Sequence, residues 1–140
     1  MKTVWKLLLG AALAGVAWVV VAAPGLVLGA GGCENTTLAQ AVSPRGAHRA
    51  VVFARSCGAT TGFSTQVSVV PARAGLANEG GNVFVADTDH GAAPSGPGGG
   101  PVVEVAWLDE SRLVIRHDPR ARVFHSEPRA GAVQVTYERR

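Results

Sequence analysis

The chain has 140 residues, two cysteines, 47% hydrophobic residues and a formal net charge of +3, which leaves room for one domain behind an apolar N-terminus and not for two. Both lysines, Lys2 and Lys6, precede the apolar run, and beyond them eleven Arg face ten Asp and Glu, so the rest of the chain carries about +1 in mixed, solvated charge. A nucleic-acid binder shows a clustered basic stripe instead, and that class is set aside. The roughly 110 residues past the apolar run can bury about two-thirds of their unfolded surface and so fold without several disulfides or a metal; no cofactor is expected.

Residues 7–28 form 22 consecutive uncharged positions with six Leu, five Val, six Ala and Trp18. As a helix they span about 33 Å, close to the hydrocarbon thickness of a bilayer. A cleaved signal peptide has a core of only about 7 to 15 apolar residues, so length favours an uncleaved transmembrane helix. Lys2 and Lys6 then keep the N-terminus in the cytoplasm and place the domain outside. Two other readings stay open. Val21-Ala22-Ala23 offers the small residues of a signal-peptidase site, with Pro24 directly after it disfavouring cleavage, and Ala30-Gly31-Gly32-Cys33 resembles a lipoprotein processing box with Ala30 where Leu is usual. All three export residues 33–140, so the chain divides into an anchor or signal segment over 1–32 and an extracytoplasmic domain over 33–140.

Past the glycine-rich joint, Glu34-Asn35-Thr36-Thr37 reads as a polar segment and Ser43-Pro44-Arg45-Gly46 as a type I turn. Strands are predicted at 47–55, at 63–70 with Phe63, Thr65, Val67 and Val69 on one face, and at 82–86. The stretch 72–79 makes a helical turn at most. Residues 88–101 hold five Gly and three Pro in fourteen positions and read as a flexible surface loop. Further strands are predicted at 102–108, with Val103, Val105 and Trp107 sharing a face, at 112–117, at 121–124, and at 132–138 with Val133, Val135 and Tyr137 aligned. No segment after residue 32 sustains a helical period. The expected fold is all-β, a small antiparallel sandwich or partly open barrel of six to seven strands.

Several of these residues carry a resemblance. Cys33, the Ser43-Pro44-Arg45-Gly46 turn, Ala50-Val51-Val52-Phe53, the block Cys57-Gly58-Ala59-Thr60-Thr61-Gly62-Phe63-Ser64, Gly81-Asn82-Val83-Phe84 and Trp107-Leu108 together resemble a family of small uncharacterised exported or membrane-anchored bacterial proteins. The likeness covers most of the soluble part and brings no activity with it. Arg45 stands where such proteins more often have Asp. The Ser-Pro-x-Gly turn is also similar to that of a periplasmic β-propeller blade, but a single copy without repeats excludes a complete propeller.

Both cysteines lie beyond the apolar run, where disulfides persist, so a Cys33 to Cys57 bridge is the simplest assignment. Cys33 follows Leu28 by five residues and lies at most about 17 Å from the end of the membrane segment. The bridge would turn the 58–62 loop, the possible binding loop, towards the membrane and leave the far end of the sheet, with the 88–101 loop, free to meet a partner. In the alternative reading a free Cys57 thiolate, assisted by His48, His90, His117 or His125 and by loop N–H groups, makes the protein a small envelope enzyme. Asp87-Thr88-Asp89-His90-Gly91 raises a metal-binding loop, although the closing Glu of a full Ca²⁺ loop is absent. The function expected is a binding or structural module of the bacterial cell envelope, held in the membrane through residues 7–28, with an envelope protein or ligand as partner.

Overall fold

Alternating apolar residues and closely spaced turn formers give strands and no helix among the residues that the computed structural model describes, 32–58 and 61–140. The apolar run 7–28, the lysines before it and both processing sites up to Gly31 lie outside the described residues, as do Ala59 and Thr60. In chain order the strands are β1 (Glu34–Val42), β2 (His48–Ser56), β3 (Ser64–Pro71), β4 (Phe84–Asp87), β5 (Val103–Asp109), β6 (Arg112–His117), β7 (Arg122–Ser126), β8 (Arg129–Ala130) and β9 (Val133–Arg139). They form two sheets, one in the order β1-β2-β3-β4-β7 and one in the order β5-β6-β9-β8.

The all-β expectation therefore holds, with two differences of detail. Nine strands replace six or seven, because β1 and the two-residue β8 were not legible. Strand β1 lacks apolar alternation, being an edge whose residues are mostly exposed. The second difference is that β6 and β9 run parallel, in a protein whose other strand pairs are antiparallel. A parallel neighbour needs a crossover connection, and here β7 supplies it by leaving for the first sheet before β8 and β9 return to the second.

The core is filled from both sheets. Ala50 and Val52 of β2, Val67 and Val69 of β3, and Val83, Phe84 and Ala86 meet Val103, Leu113, Ile115, Val133 and Val135. The period-2 faces expected for β5 and β9 are those that pack, with Val105, Trp107 and Tyr137 at the margin of the core. Phe84 lies between two rings, 5.2 Å from His117 and 5.8 Å from Tyr137. The Tyr137 hydroxyl stands 2.6 Å from the Glu127 carbonyl and 2.8 Å from that of Val83, linking the second sheet to the loops at the ends of β4 and β7. Desolvation, reinforced by the Glu127 charge, pushes the phenol up to about 12.

Strands β2 and β3 are buried on their other faces too, which simple alternation did not predict. Val51 and Phe53 point away from the main core yet are only 1% and 0% exposed. Segment 72–82 lies over that face: Arg49 donates to the Ala74 carbonyl at 2.6 Å, Arg55 to Asn78 Oδ1 at 3.0 Å, and Gly81 N–H to Gln66 Oε1 at 2.7 Å. The Asn82 amide then behaves as an extra strand residue, accepting from Val69 N–H and donating to Val69 C=O, both at 2.8 Å. The approach is so close that a Cβ on Gly81 would stand 2.5 Å from the Phe84 carbonyl oxygen.

A carboxylate joins the two sheets at the end of the domain formed by Val42 and Trp107. The expected turn is present, with Gly46 N–H bonded to Ser43 C=O at 2.8 Å and Gly46 at φ 77°. Across from it, the tip of the β5/β6 hairpin carries Glu110, whose oxygens accept from the Ser43 hydroxyl at 2.7 Å, Arg45 N–H at 2.6 Å and Ala47 N–H at 3.1 Å. Trp107 Nε1–H adds a bond to the Ala41 carbonyl at 2.9 Å. Partial desolvation raises the Glu110 pKa, but the donated hydrogen bonds outweigh it and hold the carboxyl below its usual range.

Substitutions should separate the core from the surface. Leu113→Ala, at a fully buried position, should cost about 2–5 kcal/mol in a urea titration. Leu108→Ala, at a site 55% exposed, should change stability by about 0.5 kcal/mol or less.

Candidate functional site

Antiparallel pairing gathers the expected site residues at one end of the domain. Glu34 is paired with Ser56, Arg55 with Ser64, and Thr65 with Ala86. Cys33, Cys57 and Phe63 therefore stand at the ends of three neighbouring strands, and Asp87 follows on the fourth. Cys33 and Cys57 form a disulfide with a Cα–Cα distance of 3.9 Å, so the bridge extends the β1/β2 ladder by one covalent rung. Both cysteines of the sequence are consumed in it, which removes the thiolate that the nucleophilic reading of Cys57 requires.

Within the possible binding loop, Gly58, Thr61 and Gly62 are described and Ala59 and Thr60 are not. Thr61 closes a turn on itself: its N–H and its hydroxyl both reach the Gly58 carbonyl, at 3.2 and 2.8 Å, and its hydroxyl oxygen accepts from Cys57 N–H at 3.3 Å. These groups are committed to the turn.

The aspartates of the proposed metal loop are likewise engaged. Arg122 forks onto both oxygens of Asp87, at 3.1 and 2.6 Å, and Asp87 also caps Asp89 N–H at 2.9 Å. The Arg122 hydrogen bond outweighs desolvation and lowers the Asp87 pKa. Asp89 and His90 both adopt left-handed backbone, at φ 51° and 57°, an uncommon conformation for which Asp and His are among the more tolerant residues. Asp89 adds a 3.9 Å contact to Arg122. Among the described residues no three His, Cys, Asp or Glu side chains are placed to hold a metal ion.

Segment 88–101, expected to be flexible and at the far end, is instead folded against this same end. Ala93 and Pro101 are fully buried, and the Pro101 carbonyl accepts from the Thr65 hydroxyl at 2.7 Å. Four of its five glycines allow close approach, and the fifth, Gly91, has open space beside it at φ 88°. A Cβ on Gly100 would lie 2.5 Å from Thr65 Oγ1, and one on Gly99 would lie 2.6 Å from the ring of Phe63. Sequence composition reported the glycines correctly and their purpose wrongly, since tight packing and flexibility use the same residue.

Two features were missed. Phe63, expected to face the core, is 64% exposed, because β3 begins one residue later and the ring lies on the Gly99 backbone. The second is a shallow groove of about 380 Å³ at the start of β5, lined by Pro94, Val102, Glu104, Arg116, His117, Asp118 and Arg140. Most of its charges are paired: Glu138 takes Arg116 at 2.7 Å and Arg140 at 3.4 Å. Asp118 takes Arg120 at 2.8 Å, and that pairing drives the Asp118 pKa down to about 2. His117 is only 7% exposed, with Nδ1 3.0 Å from the Asp118 carbonyl. Glu104 is the lining carboxylate with no ion pair among the described residues, and Pro94 and Val102 add apolar surface beside it.

Two measurements follow from this geometry. The disulfide closes a loop of about 25 residues, so Cys33→Ser with Cys57→Ser should lower stability by about 3 kcal/mol in denaturant titration. The Asp87 carboxyl, depressed in the fold, contributes stability that is complete above the unfolded value of about 4 and is lost as pH falls through the folded pKa. Asp87→Asn should therefore be less stable than the parent at neutral pH, and the gap should narrow as pH falls below about 4 and close once pH is below the folded pKa. A gap that persists in acid would assign the difference to packing instead of charge.

The chain matches no protein-family model, no curated protein and no solved structure, so no relative lends it a substrate or a partner.

Proposed function

We propose that the β domain is the extracytoplasmic part of a membrane-anchored bacterial envelope protein, and that it serves there as a binding or structural module. The observation that carries this reading is the Cys33–Cys57 disulfide. A bridge that uses every cysteine of the chain fits an oxidising compartment and is rare in a reducing cytosol. The 22-residue uncharged run and the lysines before it support the same topology, a single transmembrane helix over 7–28 with its N-terminus inside. The two sheets read as a small β-sandwich, since their inward faces share one core.

A module is favoured over an enzyme by what the polar groups are doing. Thr61 is tied into its turn, Asp87 into Arg122, and Glu110 into the 43–46 turn. Among the described residues no serine or threonine hydroxyl is hydrogen-bonded to a histidine ring, the arrangement that would activate a nucleophile.

Reporter fusions at Arg140 test the topology. A periplasmic reporter such as alkaline phosphatase should be active and a cytoplasmic one silent. The reverse pattern would show that the domain faces the cytosol and end this reading.

A further inference from the structure

We infer that the groove at the start of β5 is a binding site for an alkylammonium group, carried on a free diamine or on the lysine side chain of a partner. The inference names a ligand class for the binding-module reading, on which it rests. It concerns the described domain alone and is independent of the topology.

Two acceptors that line this groove are left without donors. The first is Glu104. Arg116 stands between two carboxylates in one row of the sheet, opposite Glu104 on β5 and opposite Glu138 on β9, and it turns to Glu138 at 2.7 Å. Arg140 goes to the same carboxylate at 3.4 Å, and Arg120 is held by Asp118 at 2.8 Å. Glu104 therefore has neither an ion pair nor a hydrogen bond among the described residues, although it lines the groove. The second acceptor is His117. Its Nδ1 lies 3.0 Å from the Asp118 carbonyl, which can only accept, so in the neutral ring Nδ1 carries the proton and Nε2 the lone pair. The ring is 7% exposed and lies 5.2 Å from that of Phe84. Nε2 has no hydrogen-bond partner among the described residues, yet it is not one of the atoms sealed from solvent, and the side chain lines the groove. Its lone pair therefore opens there.

The unmatched groups decide the ligand. An anion would have to draw Arg116, Arg120 or Arg140 away from a carboxylate, whereas a cation meets a carboxylate and a lone pair that nothing else engages. A metal ion fits less well, since among the described residues no three His, Cys, Asp or Glu side chains are placed to hold one. An ammonium is a compact charge with three donors, enough for both acceptors. Pro94 and Val102 supply apolar surface for its methylene stem, the way such side chains bury their stems and keep the charged head in a polar setting. That wall is fixed in place. A Cβ on Gly96 would stand 2.7 Å from Val102 Cγ2, and the turn beneath is closed by Gly96 N–H to Gly100 C=O at 2.7 Å. A preformed wall lowers the ordering cost of binding.

The test is an NMR titration of the full chain in mild detergent, labelled with heavy nitrogen in the histidine rings, at a pH above the ordinary histidine range. His48→Gln, His90→Gln and His125→Gln, made singly, assign the His117 signals by elimination. The probes are cadaverine, N-acetyl-lysine methylamide, the uncharged N-acetyl-norleucine methylamide and the dianion glutarate. At least one of the two amines should shift the His117 Nε2 resonance saturably, and the norleucine amide and glutarate should leave it in place. Glu104→Gln should raise the apparent dissociation constant for the amine severalfold, with the Nδ1 proton resonance unchanged to show that the groove is still folded. A response to the lysine amide assigns the ammonium to a polypeptide side chain, and a response to cadaverine alone assigns it to a free diamine. The inference is overturned by the absence of a saturable shift with either amine, by an equal response to the norleucine amide, or by full affinity in Glu104→Gln. A response to glutarate alone also overturns it and gives the groove to anions. Each of these failures leaves the topology to the reporter fusions, so the two readings fall separately.

Discussion

Strand β2 has no polar face in its centre, and the architecture follows from that. Ala50 and Val52 point one way, Val51 and Phe53 the other, and all four are between 0% and 2% exposed. A strand of this kind must be covered twice. The second sheet covers one side, and the chain has only the eleven residues of 72–82 with which to cover the other. That segment is too short and too rich in glycine and asparagine to form another sheet layer, so it is held by side chains reaching up from the sheet, Arg49, Arg55, Gln66 and Ser68. Buried polar groups cost free energy unless they are hydrogen-bonded, and here they are what fastens the cover.

The same economy recurs at the sheet edges and tips. The Asn82 amide extends β4 without adding a strand residue, and the Glu110 carboxylate gathers the N–H groups of a turn in the other sheet. Both tie distant segments together through one side chain that offers two hydrogen-bonding atoms. The exposed ion pairs are different in kind. Asp118 with Arg120 and Asp109 with Arg112 are local pairs at turn positions, where screening and side-chain entropy leave little net stabilisation. Their effect is to hold the turns in shape.

The two ends of the domain are unlike. One end is joined by Glu110 and Trp107 across the sheets. The other collects the disulfide, the 58–62 loop, the Asp87–Arg122 pair and the glycine turn under Phe63, all brought there by the antiparallel register of β1 to β4. The covalent bridge lies at the start of β1, so a force applied at Cys33 is passed directly to β2, whose four central residues are buried.

Much of this was legible from residues alone. Alternation in 102–108, 112–117 and 132–138 marked the strands of the second sheet and the faces that pack, since those faces meet one core and one solvent. The pairing of Cys33 with Cys57 followed from there being two cysteines beyond an apolar run, and the Ser43-Pro44-Arg45-Gly46 turn from its residue order. The rest depended on contacts between segments far apart in the chain. Strand β1 carries no alternation because an edge strand takes its order from its neighbour, and the parallel pairing of β6 with β9 is set by a crossover through the other sheet. The double burial of β2, the outward turn of Phe63 and the packing of 96–100 were invisible for the same reason. Sequence by itself determined which residues prefer to be extended, turned or bridged, because those preferences are local. Only the tertiary structure decided which faces were covered, and by what, because burial belongs to the assembled chain and not to any one stretch of it.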